Sequence, residues 1–310
     1  MNKAVAINAA AQRLSALRGE LARRRLDGFI VPLADEHLSE YVAPYAQRLA
    51  WLTGFQGSAG TAVVLADKAA IFIDGRYTIQ VRQEVDITLF APVEVPATLP
   101  ADWLASHAPA GARIGYDPWL HSQAWLDKAR EHLAPCDIAL VAVADNPVDA
   151  LWHERPPLPE APAVPHALEY TGRAHGDKLA DMAKGLREKH ADAVVLSALD
   201  SIAWTFNIRG EDVAHTPVAM AFAIVRADTT ADVFIDPAKR GRGLAAHLGG
   251  QVRLHPRSAF EAALAALGAA KARVLVDPAG TVAAIVAALA QAGARIVKGR
   301  DPAVLPKACK

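Results

Sequence analysis

Cysteine is scarce in this sequence, with only Cys136 and Cys309 among 310 residues. Two cysteines so far apart can form neither a disulfide framework nor the closely spaced pairs of a cysteine-based metal site. We therefore expect a protein of a reducing compartment, and the cytoplasm fits best.

An excess of charge is also missing. The 33 lysine and arginine residues balance the 33 aspartate and glutamate residues, so the chain as a whole does not attract phosphate backbones or anionic lipid. This balance predicts no nucleic-acid partner.

Long apolar runs are absent as well. The most apolar late segment, residues 279–294, contains Thr281, Gln291 and Gly293 and falls short of the ~20 residues that span a bilayer. The alanine-rich N-terminus continues directly into a charged amphipathic helix, which is not the pattern of a signal peptide. We expect neither membrane insertion nor secretion.

What the sequence does have is length for two domains and one clear boundary between them. Residues 155–165 read RPPLPEAPAVP, and these prolines remove amide donors and favour extended backbone. The predicted division is a first domain at 1–155, a linker at 156–165 and a second domain at 166–310.

The two sides of this linker follow the same plan, which indicates an internal repeat. Each begins with a charged helix and an apolar run, and continues through a tryptophan segment into a β-hairpin. Helices and strands then alternate, which predicts two tandem α/β domains, each a mixed, mostly parallel sheet flanked by helices. The paired features are the helices 11–25 and 177–189, the runs 28–33 and 193–199, the segments 51–54 and 204–210, and the hairpins 61–74 and 219–236.

Three evenly spaced glycines, Gly54, Gly57 and Gly60, surround Ser58 in the stretch GFQGSAG. The spacing matches neither a dinucleotide fingerprint nor a P-loop, and the following residues favour a strand where a phosphate site needs a helix. Ser58 lacks the preceding glycine of a nucleophile elbow. We predict a tight structural loop in which the glycines adopt positive φ, between a strand containing Trp51 and a hairpin.

The 11 histidines do not form a recognisable metal motif. His153 and Glu154 lack the second histidine of H-E-x-x-H, and His215 and His255 stand alone. We therefore predict no metal site and no catalytic residue in this chain.

Arg76 follows the apolar strand residues 71–74 in the sequence DGRY, and Gly75 is expected to let the backbone turn there. An arginine fixed at a strand end can hold a carboxylate or a peptide carbonyl by paired hydrogen bonds. The alternative is an ion pair with Asp74 or Asp86, and the residues alone favour that alternative.

In the second half, Ile202, Trp204, Phe206 and Ile208 form an apolar stripe that we assign to the core. The polar residues that follow, Asn207, Arg209 and Asp212, are expected to cap and brace the turn before Pro217. A binding role for these residues, or for His215, stays open.

Several motifs, taken in order, resemble one family. They are EHLSEYVAP at 36–44, LTGFQGSAGTA at 52–62, DGRY at 74–77, NPVD at 146–149 and AWTFNIRG at 203–210. Together they resemble the long, three-domain form of aminopeptidase P, the Xaa-Pro aminopeptidases, from about residue 15 to residue 310.

The resemblance implies two creatinase-type N-terminal domains followed by a pita-bread catalytic domain. In the family that last domain binds two metal ions, usually manganese, through two aspartates, a histidine and two glutamates. The sequence stops at VLPKACK, where that domain would begin, so this chain is expected to lack the metal ligands and to be inactive by itself. The family's peptide-contacting arginine corresponds to Arg76, and its members form homodimers and cleave before a proline at the second position.

Two other interpretations remain. The chain could act as a standalone module that binds a peptide or protein without cleaving it, or as a small-ligand binder whose two domains close around the proline-rich segment.

Overall fold

The computed structural model describes residues 3–309 and consists of two compact units. The first comprises Met1–Asp35 and Pro44–Pro157, and the second comprises Glu36–Ala43 and Leu158–Lys310. The short segment Glu36–Ala43 therefore groups with the second unit, although its place in the sequence put it in the predicted first domain.

A six-stranded mixed sheet forms the centre of the first unit, in the order β4-β3-β2-β1-β5-β6. The pairs β1–β2 and β2–β3 are antiparallel, and the other three pairs are parallel. The strands are β1 (Gly28–Pro32), β2 (Thr61–Leu65), β3 (Ala69–Asp74), β4 (Ala91–Val95), β5 (Arg113–Tyr116) and β6 (Ala139–Ala142).

Helices cover this sheet on both faces because alternate strand residues point to opposite sides. Phe29 and Val31 pack in one apolar cluster with Leu17 of the first helix, whereas Ile30 packs in another cluster with Leu104. The helices are α1 (Lys3–Arg23), α2 (Arg48–Thr53), α3 (Gln80–Glu84), α4 (Pro100–His107), α5 (Gln123–Leu133) and α6 (Pro147–Leu151).

The second unit repeats this topology, with a six-stranded sheet in the order β12-β11-β10-β8-β13-β14. A small antiparallel pair, β7–β9, is additional. The strands are β7 (Val164–Pro165), β8 (Ala193–Leu196), β9 (Ile208–Arg209), β10 (Phe222–Arg226), β11 (Ala231–Phe234), β12 (Val252–His255), β13 (Arg273–Val276) and β14 (Arg295–Lys298). The helices are α7 (Leu168–Thr171), α8 (His175–Glu188), α9 (Leu199–Phe206), α10 (Leu244–Leu248), α11 (Phe260–Ala269), α12 (Ala283–Gln291) and α13 (Val304–Ala308).

The repeat extends to single hydrogen bonds. Before β1, Asp27 donates its amide to Arg113 O at 2.9 Å and accepts the Arg113 amide on Oδ2 at 2.8 Å. Before β8, Asp192 makes the same two bonds with Arg273, both at 2.7 Å. The predicted fold, two tandem α/β units with mixed sheets flanked by helices, is confirmed.

The segment around Trp51 differs from the prediction, because it forms helix α2 and not a strand. Leu49 and Leu52 are fully buried, and Gly54 ends the helix in the left-handed region with φ of 87°. In the second unit, the predicted core stripe lies partly on helix α9, which buries Ile202 and Phe206 but leaves Trp204 half-buried. Ile202 and Phe206 are four residues apart and therefore lie on the same face of a helix, whereas a strand would place every second residue of the stripe on one face.

None of the helices within residues 3–309 is long and apolar enough to cross a membrane.

A charged network lies beneath the NPVD motif of the first unit. Arg48, only 5% exposed, donates Nε to Asp149 Oδ1 at 2.7 Å and Nη2 to Oδ2 at 2.9 Å. Arg155 donates Nη1 to the same carboxylate at 2.7 Å. Asn146 caps α6 by accepting the Val148 amide. The motif thus joins α6 to α2, which is a structural role.

We predict that Asp149→Asn lowers the free energy of unfolding by about 2–4 kcal/mol, because the buried Arg48 loses its carboxylate partner. Asp67→Asn is the matched control, since Asp67 forms a surface pair with Lys68 at 3.5 Å and its loss should cost less than about 1 kcal/mol. Urea unfolding of both variants measures the difference. Equal effects would contradict the structural role of the Asp149 network.

Candidate functional site

Arg76 lies in a short 3-10 turn, Gly75–Tyr77, directly after β3. The Asp74 side chain caps this turn by accepting the Arg76 amide at 2.9 Å. The Arg76 guanidinium donates Nη2 to Asp74 Oδ2 at 2.7 Å and Nε to Oδ1 at 3.0 Å. The ion pair with Asp74 that the residues alone favoured is therefore present.

This pair leaves much of the arginine accessible, because the Arg76 side chain is 63% exposed. The hydrogen bond from the Arg76 side chain, followed by that from its amide, holds the pKa of Asp74 below its ordinary value. The carboxylate therefore stays charged at neutral pH and orients the guanidinium. A carboxylate or carbonyl group other than that of Asp74 can approach the exposed part of the guanidinium, which paired hydrogen bonding to such a group requires.

The glycine loop is tied to this turn through Tyr77. The Tyr77 hydroxyl accepts the Ser58 amide at 3.1 Å and lies 2.7 Å from Ser58 Oγ. Its ring meets Phe55 edge to face at 5.5 Å, and the Arg76 guanidinium lies 5.2 Å from the ring centre. Ser58 thus serves as a hydrogen-bonding partner of Tyr77, and the loop supports the turn that carries Arg76.

The three glycines are needed for different reasons. Only Gly54 has positive φ, so the prediction was right for Gly54 and wrong for Gly57 and Gly60. A Cβ at Gly57 would lie 2.3 Å from Phe55 Cζ and 2.8 Å from Tyr77 Cδ1. Close packing of aromatic rings, which no single-residue pattern reveals, is the reason for glycine at that position. The loop leads into β2 and not into a helix, as predicted.

Gly75 does not have the role that we expected. Its φ lies outside the left-handed region, and a Cβ there would meet nothing within 4 Å. The cap by Asp74, and not the freedom of glycine, shapes the turn.

No group of three or more histidine, cysteine, aspartate or glutamate residues within residues 3–309 could hold a metal ion. His255 Nε2 lies 2.9 Å from Asp232 Oδ1. His215 adopts positive φ in the loop before Pro217. The donor set for a two-metal centre is therefore not found in the part of the chain that the structure describes.

In the second unit, Asn207 ends α9 in the left-handed region, and its side chain bonds Lys178 Nζ and Arg173 O, which lie outside the turn before Pro217 that it was predicted to cap. Arg209 donates Nη1 to the carbonyls of Ala203 and Ile208 at 3.2 and 2.9 Å. The contacts of Asp212 extend beyond the predicted turn before Pro217. Its carboxylate accepts the Met220 amide and pairs with the buried Lys239.

Lys178 was missed from the sequence. It is 2% exposed, donates Nζ to Trp204 O at 2.8 Å, and lies 4.3 Å above the Trp204 ring. Arg13 does the same in the first unit, with Nη1 2.6 Å from Trp51 O and the guanidinium 4.9 Å above that ring. Alignment of the two repeats could have revealed this pair, because each cation stands on the helix that precedes the first strand of the six-stranded sheet, α1 before β1 and α8 before β8.

Models of the creatinase/prolidase N-terminal domain match the chain twice, over residues 13–151 and residues 154–310. Curated relatives include a probable Xaa-Pro aminopeptidase P of Coccidioides posadasii, 38% identical over 254 residues that make up 81% of this chain and 41% of the relative. That of Aspergillus niger is 36% identical over 263 residues, or 84% of this chain and 43% of the relative. The chain thus spans less than half the length of these relatives.

A crystal structure of X-prolyl aminopeptidase from Caenorhabditis elegans, described as a cytosolic enzyme with a di-nuclear active site, has a similar fold. Its TM-score is 0.88 at 28% identity, and the match covers 94% of this chain and 50% of that chain.

We predict that Gly57→Ala lowers the free energy of unfolding by about 1–3 kcal/mol, because the added methyl group collides with two aromatic rings. Gly75→Ala is the control, and its open surroundings should keep the change within about 0.5 kcal/mol. Thermal or urea unfolding of each variant provides the comparison. A Gly75→Ala effect as large as that of Gly57→Ala would refute this assignment.

Proposed function

Because the chain belongs to the creatinase/prolidase N-terminal domain family, we propose that it is the non-catalytic N-terminal region of an Xaa-Pro aminopeptidase. The full enzyme would hydrolyse the bond between an N-terminal residue and a following proline. The observation that carries this proposal is the match of both units to family models, together with aminopeptidase P relatives of 36–38% identity.

The proposed contribution of this region is substrate access and recognition. Arg76 is the residue that we assign to peptide contact, because its guanidinium is exposed and is oriented by Asp74 and Tyr77. Such a group can bind a peptide carbonyl or carboxylate without reorganisation at the moment of binding. The chain would also support a homodimer and act in the cytoplasm. The dimer rests on the resemblance, and the location also on the cytosolic neighbour.

Two divalent metal ions, with manganese the expected metal, would supply the activated water and polarise the scissile carbonyl. The residues of this chain do not fit that role, because none of the groups within residues 3–309 provides the required donor set. The metal ligands would therefore come from another part of the enzyme, and no catalytic residue is assigned to this chain.

A second candidate is a standalone module that binds a peptide or protein without cleaving it. The lack of a metal-binding group in the described residues is compatible with both candidates. The two candidates make the same prediction for the chain alone and differ for the longer protein.

The isolated chain supplied with manganese is expected not to release the N-terminal residue of an Xaa-Pro peptide, because it lacks the donor set for the metals. A fluorogenic Xaa-Pro peptide assay tests this, with the full-length enzyme as the positive control. Turnover by the purified chain would contradict the proposal. Peptide binding without turnover in the full-length protein as well would favour the standalone module.

In the full-length enzyme, Arg76→Ala should lower kcat/KM for an Xaa-Pro peptide by about 10- to 100-fold, the value of one or two charge-assisted hydrogen bonds. Metal content should stay unchanged, and thermal stability should change little, because the Arg76 side chain is 63% exposed and a surface ion pair contributes less than about 1 kcal/mol. The matched control is Arg82→Ala, an exposed arginine on α3, which should leave kcat/KM unaltered. Unchanged kinetics in Arg76→Ala would return Arg76 to a purely structural role with Asp74.

A further inference from the structure

The second unit contains a cavity of about 530 Å³, which is lined by residues of α7, α8, α9 and α13 and of the segments beside them. This volume lies within the range of small-molecule sites in proteins, about 300–1,000 Å³. Three of the lining residues are the cations Arg173, Lys178 and Arg209, and one, Glu169, is a carboxylate on the exposed side. The cavity therefore has a positive charge.

Lys178 is the most buried of these cations. Its Nζ donates to Trp204 O at 2.8 Å and to Asn207 Oδ1 at 2.6 Å, and both acceptors are neutral. Burial, and then the charges of Arg173 and Arg209, lower the pKa of Lys178 to about 8. The environment of the ammonium group thus disfavours its positive charge, and a nearby anion would offset that cost.

Arg209 is in a similar position. It is half-buried, its hydrogen bonds go to the carbonyls of Ala203 and Ile208, and burial lowers its pKa. Among the residues that the structure describes, neither Arg209 nor Lys178 has a carboxylate within ion-pair distance. Arg173 pairs with Asp181, whose side chain is 65% exposed, so that pair is open to competition from a ligand.

Comparison of the two units shows which of these cations has a counterpart in the first unit and which does not. In each unit one cation bonds the carbonyl three residues before the left-handed helix cap, which is Gly54 in α2 and Asn207 in α9. Two residues after the cap, however, the first unit has Gln56 and the second has Arg209. Bracing of the helix end accounts for Lys178 and for the bond from Arg209 Nη1 to Ala203 O, but the first unit achieves the same bracing with one cation, so the second cation is particular to the second unit.

We propose that this cavity binds an oxyanion, the phosphate or carboxylate group of a small molecule, through Lys178, Arg209 and Arg173. The planar guanidinium groups present paired donors that match the oxygens of either group, and the lysine adds a compact charge. Trp204 and Tyr170 supply aromatic surface beside the charges for the rest of the ligand. This site is separate from the peptide contact assigned to Arg76 and does not depend on it.

Isothermal titration of the chain with inorganic phosphate, and separately with succinate, tests the proposal at an ionic strength fixed with chloride. We expect one saturable site for at least one of the two anions, and the anion that binds identifies the ligand group. Arg209→Gln and Arg173→Gln should each weaken binding by about tenfold or more, since each removes a charge-assisted contact. Arg253→Gln, an exposed arginine on β12 outside the cavity lining, should bind as the unaltered chain does.

Lys178→Met should abolish saturable binding if the variant folds, which circular dichroism checks. Because Lys178 also braces α9, the two arginine variants decide the matter if Lys178→Met does not fold. Absence of saturable binding of both anions at concentrations up to about 10 mM, a free energy near −3 kcal/mol, would overturn the proposal. Equal affinity in the Arg209, Arg173 and Arg253 variants would overturn it too.

Discussion

Each unit depends on a cation that donates a hydrogen bond to the end of a neighbouring helix. Arg13 of α1 bonds a carbonyl in the last turn of α2, and Lys178 of α8 bonds one in the last turn of α9. The last carbonyls of a helix have no partners within the helix, and burial without a donor would be costly. The cation provides that donor, and a left-handed residue then directs the chain away from the helix axis. In each unit, this contact thus fixes the point at which the chain leaves the helix for the segment that leads to the hairpin.

The two units share this arrangement but differ at the end of the hairpin. In the first, Asp74 caps a turn and orients the exposed guanidinium of Arg76. In the second, Asp236 caps the corresponding turn by accepting the Ala238 amide at 2.9 Å, but the next cation, Lys239, is buried against Asp212. The same backbone thus presents an exposed guanidinium in one unit and a core ion pair in the other.

The likeness to aminopeptidase P extends to less than half of the relatives' length, and the part that we propose for this chain in the enzyme is the frame and not the reacting groups. Its proposed contributions are of the kind that a rigid scaffold offers: an arginine that is already oriented, and a charged cavity. In both places neighbouring groups hold a cation in one orientation, so that it loses less conformational entropy when a ligand binds.

The sequence by itself determined the two-unit plan, the hairpin β2–β3 and the place of Arg76 after a strand. These features depend on local patterns, namely apolar runs, turn residues and a repeated order of elements. Tertiary structure alone decided that the Trp51 segment is a helix, that Gly57 is small because Phe55 and Tyr77 pack against it, and that Lys178 meets Arg173 and Arg209 around one cavity. It also grouped Glu36–Ala43 with the second unit. The physical reason is that these outcomes depend on contacts between residues distant in the chain, which local propensity does not encode.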